Sequence, residues 1–435
     1  MSLLSLLCFL SLFPFIATAV VPSSATFKYV NEGEHGPYIN EYGGDYRCLR
    51  VFTSPFQLCF YNTTRNTYTL AIRMGTRRSV SMRRWVWEAN RGNPVRENAT
   101  LTFGTDGNLV LADADGRIAW QTNTANKGVV GFRLLPTGNM VLHDSQGKFI
   151  WQSFDSPTDI LLVGQSIRAG GVSKLVSRAS AEDNSNGPYS LVLEGNRLAM
   201  YYKSKNSPTP YLYFKLEPYI HWKGTLAFVT LSITPDTFER YAYDMQLDFG
   251  VNGSTREGGY LIARPKYNST LSFIRLGIDG NLKLYTYYDH VDYNAWEETF
   301  TLFSRDSNWE TECQLPSRCG SLGLCEDNQC VACPTANGLT GWSKGCQPVK
   351  LPSCNPNSFH YNKLEGVDHF MSTHTSGAGP VKEIDCLKKC SSDCKCLGYF
   401  YHTLSSKCWV AYDLMTLTKV SNSTHLGYIK FPNKS

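Results

Sequence analysis

The stretch Asp106-Gly107-Asn108-Leu109-Val110-Leu111-Ala112-Asp113, followed by Gly116-Arg117-Ile118-Ala119-Trp120-Gln121-Thr122, occurs a second time. The second copy is Thr137-Gly138-Asn139-Met140-Val141-Leu142-His143-Asp144, followed by Gly147-Lys148-Phe149-Ile150-Trp151-Gln152-Ser153. The Gly-Asn pairs and the Trp-Gln pairs each recur at 31 residues, and Trp87 precedes Trp120 by 33. A period of this size marks a repeated supersecondary unit. In each copy Gly-Asn makes the tight turn that starts a strand, and alternating apolar residues fill one face. A second turn at Asp-x-x-Gly reverses the chain, and tryptophan anchors the next strand in a shared core. Three such units closing around an approximate threefold axis, with the tryptophans at the centre, predict a small β-prism.

Residues 20–65 read as a lead-in containing Cys48 and Cys59, whose 10 intervening residues include Pro55 and close a small hairpin-like loop. From about residue 68 to 167 the chain reads as short strands separated by glycine and asparagine turns. Residues 173–300 hold no cysteine but several β-like runs, at 189–194, 198–202 and 211–216. The run Leu276-Gly277-Ile278-Asp279-Gly280-Asn281-Leu282-Lys283-Leu284-Tyr285 couples a Gly-Asn turn to an alternating strand once more. A second β domain, prism-like in kind, is expected there, and its own sequence offers no site. A chain of 435 residues is too long for one core.

The N-terminus assigns the compartment. Residues 1–19 carry no charge, run apolar from Leu3 to Ile16 and end in Ala17-Thr18-Ala19, which reads as a cleaved signal peptide too short to span a membrane. No later segment has 18 apolar residues in a row, so a secreted product without membrane insertion is expected. Of 15 cysteines, removal of Cys8 leaves 14, an even number suited to full pairing in an oxidising compartment. Twelve of them fall between Cys313 and Cys408, so the last third is stapled while the front relies on apolar cores. Asn-x-Ser/Thr occurs at Asn62, Asn98, Asn252, Asn268 and Asn422, with Asn433 too near the end to count. Acceptors in use must face solvent.

Formal charge is +5, and the one basic cluster is Arg77, Arg78, Arg83 and Arg84 beside Trp85 and Trp87. Without a sustained patch, nucleic acid is excluded as a partner, and a solvated face is the expectation for these arginines.

The segment Trp85-Val86-Trp87-Glu88-Ala89-Asn90-Arg91-Gly92-Asn93-Pro94-Val95 and the closing segment Trp151-Gln152-Ser153-Phe154-Asp155-Ser156-Pro157-Thr158-Asp159 resemble the bulb-type (curculin-like) mannose-binding lectin domain, in the form seen in S-locus glycoproteins. Cys313, Cys319, Cys325, Cys330, Cys333 and Cys346 resemble an EGF-like module. Cys354, Cys386, Cys390, Cys394, Cys396 and Cys408 resemble a PAN/apple domain, with Cys386 and Cys390 on one side of a helix so that both can be crosslinked to a sheet beneath. The expected fold is therefore mostly β. A signal peptide (1–19) and lead-in (20–65) precede a bulb-type lectin domain (66–172) and an S-locus-like second β domain (173–308). An EGF-like module (309–350) and an α+β PAN/apple domain (354–430) follow. This order is similar to that of the epidermis-specific secreted glycoproteins of plants.

Chemistry is scarce. Cys330-Val331-Ala332-Cys333 and Cys394-Lys395-Cys396 have close spacing, but behind a signal peptide disulfides are the better reading than zinc, so no metal and no cofactor is expected. There is no His-Glu-x-x-His, no Gly-x-Ser-x-Gly and no phosphate loop. Adjacent Glu297 and Glu298 point to opposite faces of an extended segment, which is poor placement for paired glycosidase carboxylates. No enzyme is expected.

The lectin resemblance implies sugar sites of the pattern Gln-x-Asp-x-Asn-x-Val-x-Tyr. The first copy keeps Asp106, Asn108 and Val110, with Gly104 and Ala112 at the ends. The second keeps Asn139 and Val141, with Leu135, Thr137 and His143 elsewhere. Each lost direct hydrogen bond costs on the order of 1 kcal/mol. Asn108 and Asn139 read first as turn residues, and Val110, Val141, Trp120 and Trp151 first as core. The expectation is a lectin-like glycoprotein of the plant apoplast or cell wall that binds a glycan or glycoprotein. A protein-interaction scaffold acting through the PAN and EGF-like modules on a secreted protein or receptor ectodomain, or a structural wall protein, is the alternative, and oligomerisation is compatible with each.

Overall fold

The computed structural model describes residues 20–76, 82–217, 224–235, 243–251, 259–307, 309–351, 353 and 355–433; residues 1–19, read from sequence as a signal peptide, and Arg77, Arg78, Asn252 and Cys354 lie outside the described residues. Antiparallel sheet dominates. In the front region Tyr46–Thr53, Phe56–Thr64, Thr67–Met74 and Arg84–Glu88 form one sheet in that order. Phe27–Val30, Thr100–Phe103, Leu109–Ala112 and Ile118–Gln121 form a second, and Gly131–Leu134, Met140–His143 and Phe149–Gln152 a third.

The repeat explains this layout. Gly107 and Gly138 take φ of 80° and 82° at the strand entries. A Cβ at Gly107 would stand 2.7 Å from Val129 Cβ, and one at Gly138 would stand 2.8 Å from the Phe56 ring, so glycine is required on both conformational and steric grounds. Leu109, Leu111, Met140 and Leu142 then turn into a core shared with Leu70, Ile72, Leu101 and Phe103. Trp87, Trp120 and Trp151, one from each sheet, meet edge to face, with ring centroids 5.8, 6.1 and 5.7 Å apart. This arrangement suits the aromatic quadrupole and closes the three sheets on one another.

Residues 27–64, read from sequence as a lead-in, supply three of these strands. Cys48 and Cys59 are bonded to each other as directly opposed residues of one hairpin. The sequence signal was weak because these strands lack the Gly-Asn and Trp-Gln marks of the repeat.

The middle region holds three four-stranded sheets laid down in nested order. Ile160–Leu162, Ser166–Arg168 and Lys174–Arg178 start one sheet each. The chain then completes the last sheet with Asn186–Leu193, Leu198–Tyr202 and Tyr211–Leu216, and the second with Leu226–Pro235, Tyr243–Val251 and Gly259–Ala263. The first is completed by Ser272–Leu276, Leu282–Tyr287 and Trp296–Thr301.

Between front and middle lies a continuous buried ion lattice. Arg275 reaches Glu41 at 2.5 Å and Asp159 at 3.4 Å; Arg91 lies 3.7 Å from Asp159 and 3.4 Å from Glu88; Arg178 lies 2.9 Å from Glu88. Arg84 pairs with Glu41 at 2.6 Å. Burial alone would lower the Arg275 pKa, but the Glu41, Tyr42 and Asp159 groups raise it well above its usual value. The expectation of a solvated arginine face is thus corrected at the two described members of that cluster. Arg83 is 1% exposed, with its guanidinium 3.9 Å from the Tyr38 ring centroid, and Arg84 is drawn inward by Glu41. Glu41 comes from outside the repeat, so the pairing had no local signature.

In the C-terminal region Gly338–Gly341, Gln329–Thr335, Leu322–Glu326, Met415–Lys419 and Val367–His369 form a five-stranded sheet. Phe359–Glu365, His425–Pro432, Gly398–His402 and Lys407–Ala411 form a four-stranded one. Disulfides join Cys313 to Cys325, Cys319 to Cys330, and Cys333 to Cys346, so the close pair Cys330 and Cys333 serves two different bridges. The helix Glu383–Ser391 buries Cys386 and Cys390 on one face, with acids in its first turn and lysines in its last, as the helix dipole favours. Cys386 is bonded to Cys408 in the sheet, whereas Cys390 is bonded to Cys396 in the turn before the next strand, which corrects the expectation that both reach the sheet. Cys394 is also disulfide-bonded. One apolar core runs from Leu175, Met200, Leu231 and Leu284 of the middle region to Leu324, Phe370 and Leu417 here. No helix among the described residues is long and apolar enough to cross a membrane.

Arg275→Ala removes the cation that Glu41 and Asp159 share, leaving Glu41 with Arg84 and Asp159 with Arg91, and should lower the unfolding free energy of the secreted protein, measured by urea titration, by about 3 kcal/mol. An unchanged midpoint would show that the lattice is solvated. Asp113 is 5% exposed and accepts the N–H groups of Arg96 and Ala114, each at 2.9 Å, together with the Arg96 and Arg117 guanidiniums. Burial works to raise its pKa, but these bonds prevail and hold it at about 2. The folded value lies below the unfolded one, so this stabilisation is complete above about pH 4 and is lost as pH falls toward 2, amounting to about 2 kcal/mol. Asp113→Asn should flatten that part of the stability–pH curve, read by thermal unfolding between pH 2 and 5.

Candidate functional site

Three strand entries carry the sugar-site pattern or its remnant, and the structure uses their asparagines in one way. Asn108 is 8% exposed; its Nδ2 donates to Gln121 Oε1 at 2.9 Å, and its Oδ1 accepts from the Thr122 hydroxyl at 3.0 Å and the Thr124 N–H at 3.1 Å. Asn139, 5% exposed, repeats this with Gln152 Oε1 at 2.8 Å and with the Ser153 hydroxyl and Phe154 N–H, both at 3.2 Å. Asn281 clamps the backbone of Phe303, donating to its carbonyl at 2.9 Å and accepting its N–H at 3.1 Å. Each asparagine ties a strand entry to the end of its neighbour.

Asp106 is exposed and accepts the Asn108 N–H at 3.1 Å; Asp279 accepts that of Asn281 at 3.0 Å. Val141 is fully buried, but Val110 is only half-buried on the outward side of Leu109–Ala112, so its reading as a core residue is corrected. Strand alternation places Leu109 and Leu111 inward and leaves Val110 outside.

The surroundings of the three entries differ. Beside Asn281 lies a cavity of about 590 Å³ lined by Asp279, Lys283, Glu298, Phe300, Thr301 and Arg305, among others. Lys283 Nζ donates to Glu298 Oε2 at 3.1 Å, the Thr301 hydroxyl donates to the same carboxylate, and Arg305 Nε donates to Glu312 at 3.3 Å. Burial would lower the Lys283 pKa, but the Glu298 bond and the neighbouring Tyr285 raise it, so the ammonium stays charged. Against the five-position pattern, residues 277–285 keep Asp279, Asn281 and Tyr285, with Tyr285 half-buried and its ring 4.2 Å from the Arg84 guanidinium. Sequence reasoning saw this strand entry but assigned it no site; the cavity walls come from residues 298–318, which no local motif announces. Glu297 and Glu298 diverge as expected, Glu297 binding the Tyr288 hydroxyl and Glu298 the cavity lysine.

Among the glycosylation acceptors, Asn98, Asn268 and Asn422 are exposed. Asn62 is 7% exposed, its Oδ1 accepting the Asp45 N–H at 3.0 Å, and it lines a cavity of about 670 Å³.

Residues 84–181 match the family model described as D-mannose binding lectin, which with the repeats and sheets above defines a β-rich glycoprotein bearing a bulb-type lectin region. The chain is 50% identical over 435 residues to EP1-like glycoprotein 4 of Arabidopsis thaliana, covering 99% of this chain and 97% of that protein. It is 56% identical over 381 residues to the epidermis-specific secreted glycoprotein EP1 of Daucus carota, covering 84% and 97%. Among solved structures it is similar to a monomeric monocot mannose-binding lectin from Gastrodia elata, at 21% identity, 30% of this chain, 96% of that one and a TM-score of 0.18. The chain belongs to the EP1-like glycoprotein family. As a member of that family it is not an enzyme.

Asn139→Ala should destabilise the protein by about 1 to 3 kcal/mol, because the Phe154 N–H and Ser153 hydroxyl lose their acceptor in a buried place. Chemical denaturation checks this, and a change below about 0.5 kcal/mol would remove the clamp from the account.

Proposed function

We propose that this is a secreted, lectin-like glycoprotein of the plant apoplast or cell wall that binds a glycan or the glycan of a glycoprotein. Its binding site is the cavity beside Asp279, Lys283 and Glu298. One observation carries this reading: all three entry asparagines are spent on internal bonds, and the third entry lines a polar cavity that combines the Glu298 carboxylate, the Lys283 ammonium, the Thr301 hydroxyl and the Phe300 ring. Paired donors and acceptors with one apolar contact suit a hydroxyl-rich ring. In this reading the β-prism expected at 66–172 also takes in the strands of residues 27–64, and the one expected at 173–308 also takes in Ile160–Leu162 and Ser166–Arg168, each then having three sheets, with the tryptophan triad at the centre of the first. Residues 309–350 are EGF-like and residues 354–430 a PAN/apple domain. The disulfides and the secreted relative support the extracellular setting.

A second reading, recognition of a protein partner by the C-terminal region, is favoured by a cavity of about 480 Å³ between the middle and C-terminal regions, lined by Tyr201, Pro208, Tyr211, Met371, Trp409 and Tyr412 among others. Aromatic, methionine and proline side chains in a concave surface are typical of such contacts.

Binding of the glycosylated protein to an array of high-mannose and plant-wall oligosaccharides separates the readings. Saturable binding weakened about tenfold or more by Lys283→Ala and by Glu298→Gln, and unaffected by Asp106→Ala, is the expected result. Binding lost with Asp106→Ala alone would return the site to the first repeat, and folded protein that binds no glycan would favour the protein-partner reading.

A further inference from the structure

Away from the lectin-like regions, Asp368, His402 and His425 bring one ligand atom each to a single point, all within 4.8 Å of one another. His402 ends the strand Gly398–His402 and His425 begins the strand His425–Pro432, where the two are directly opposed. Their rings stack at 3.6 Å between centroids and 10° between planes. Asp368, on Val367–His369, belongs to the other C-terminal sheet. Its two oxygens face His402 Nε2 and His425 Nδ1, each at 2.8 Å. The side chains are 13, 15 and 22% exposed for Asp368, His402 and His425, so the cluster is largely enclosed yet reachable by solvent. The Trp409 ring packs 4.4 Å from His402 and restricts its orientation.

We infer that this cluster is a binding site for a divalent transition-metal cation of the zinc or copper class, held by Asp368, His402 Nε2 and His425 Nδ1. Two imidazole nitrogens and one carboxylate oxygen are the donor set that borderline cations prefer. Calcium and magnesium, which demand oxygen ligands throughout, do not suit it. Three protein ligands leave a coordination position for water.

The nitrogen–oxygen separations are hydrogen-bond lengths. Metal bonds of about 2.0 to 2.1 Å require the ligand atoms to part by about 0.5 Å and the parallel rings to splay, which open strand ends permit. On binding, the two N–H protons that now face the carboxylate leave or move to the other ring nitrogens, and the freed lone pairs take the cation. The ion would tie the five-stranded sheet to the four-stranded one, a staple between layers that the disulfides among the described residues do not supply. No sequence motif announces it, because the ligands lie 34 and 57 positions from Asp368 and meet only through strand pairing.

The test uses the full secreted chain, stripped with a chelator and titrated with zinc chloride by calorimetry and with copper(II) by electron paramagnetic resonance. One saturable equivalent is expected, with a raised thermal midpoint and copper hyperfine structure from two nitrogens. His402→Gln and His425→Gln should each weaken binding by about tenfold or more, while His290→Gln, at a residue exposed elsewhere, should not. The copper spectrum of the unmutated protein reads the ligand set independently of whether a variant folds. A spectrum without two nitrogen ligands, no saturable binding, or binding undiminished in folded His402→Gln and His425→Gln would overturn the assignment.

Discussion

Glu41, Asp159 and Glu88, threaded between Arg84, Arg275, Arg91 and Arg178, are the constraint on which the rest of the molecule depends. Charges taken out of water are tolerated only when each finds a partner, and removing one member leaves another exposed to the low dielectric. The members come from a segment before the repeat, from the edge of the tryptophan triad, from the junction between regions and from the middle region. None of these segments can take another position without stranding a charge. The lattice thereby fixes how the front sheets meet the middle sheets, while the apolar core does the same between the middle and C-terminal regions.

The repeat was legible because its physics is local. Gly107 and Gly138 mark strand entries by conformation, alternation marks the buried face, and tryptophans at fixed spacing meet at the centre. The disulfide character of the last third was legible from cysteine number and compartment. The strands of residues 27–64 were not, since they carry none of the repeat's punctuation and acquire their place through Glu41 and the hairpin Cys48–Cys59. For the same reason Arg83 and Arg84 read as a basic surface, when Arg83 is buried and Arg84 is half-buried against Glu41. Long-range partners decide the state of a charge, and a linear pattern does not record them.

The candidate site divides in the same way. The asparagines of the sugar pattern were visible, and their reading as strand-entry residues agrees with the bonds they make. What the sequence did not reveal is which entry opens onto a cavity. Lys283, Glu298 and Arg305 converge because Leu282–Tyr287 pairs with Trp296–Thr301 and the chain then turns back. The two C-terminal histidines likewise become neighbours through strand register alone. Both clusters are assembled by strand pairing, from residues without a shared motif.

Because the lattice joins them, the front and middle regions should open as one body. Native-state hydrogen exchange measures this directly, through the backbone amides of Thr67–Met74 and Arg84–Glu88 in the front and of Ser272–Leu276 in the middle. The account predicts a common opening free energy for all three strands, falling together when Arg275 is neutralised. Distinct opening energies, or a fall confined to Ser272–Leu276, would show two independently folding bodies and contradict it.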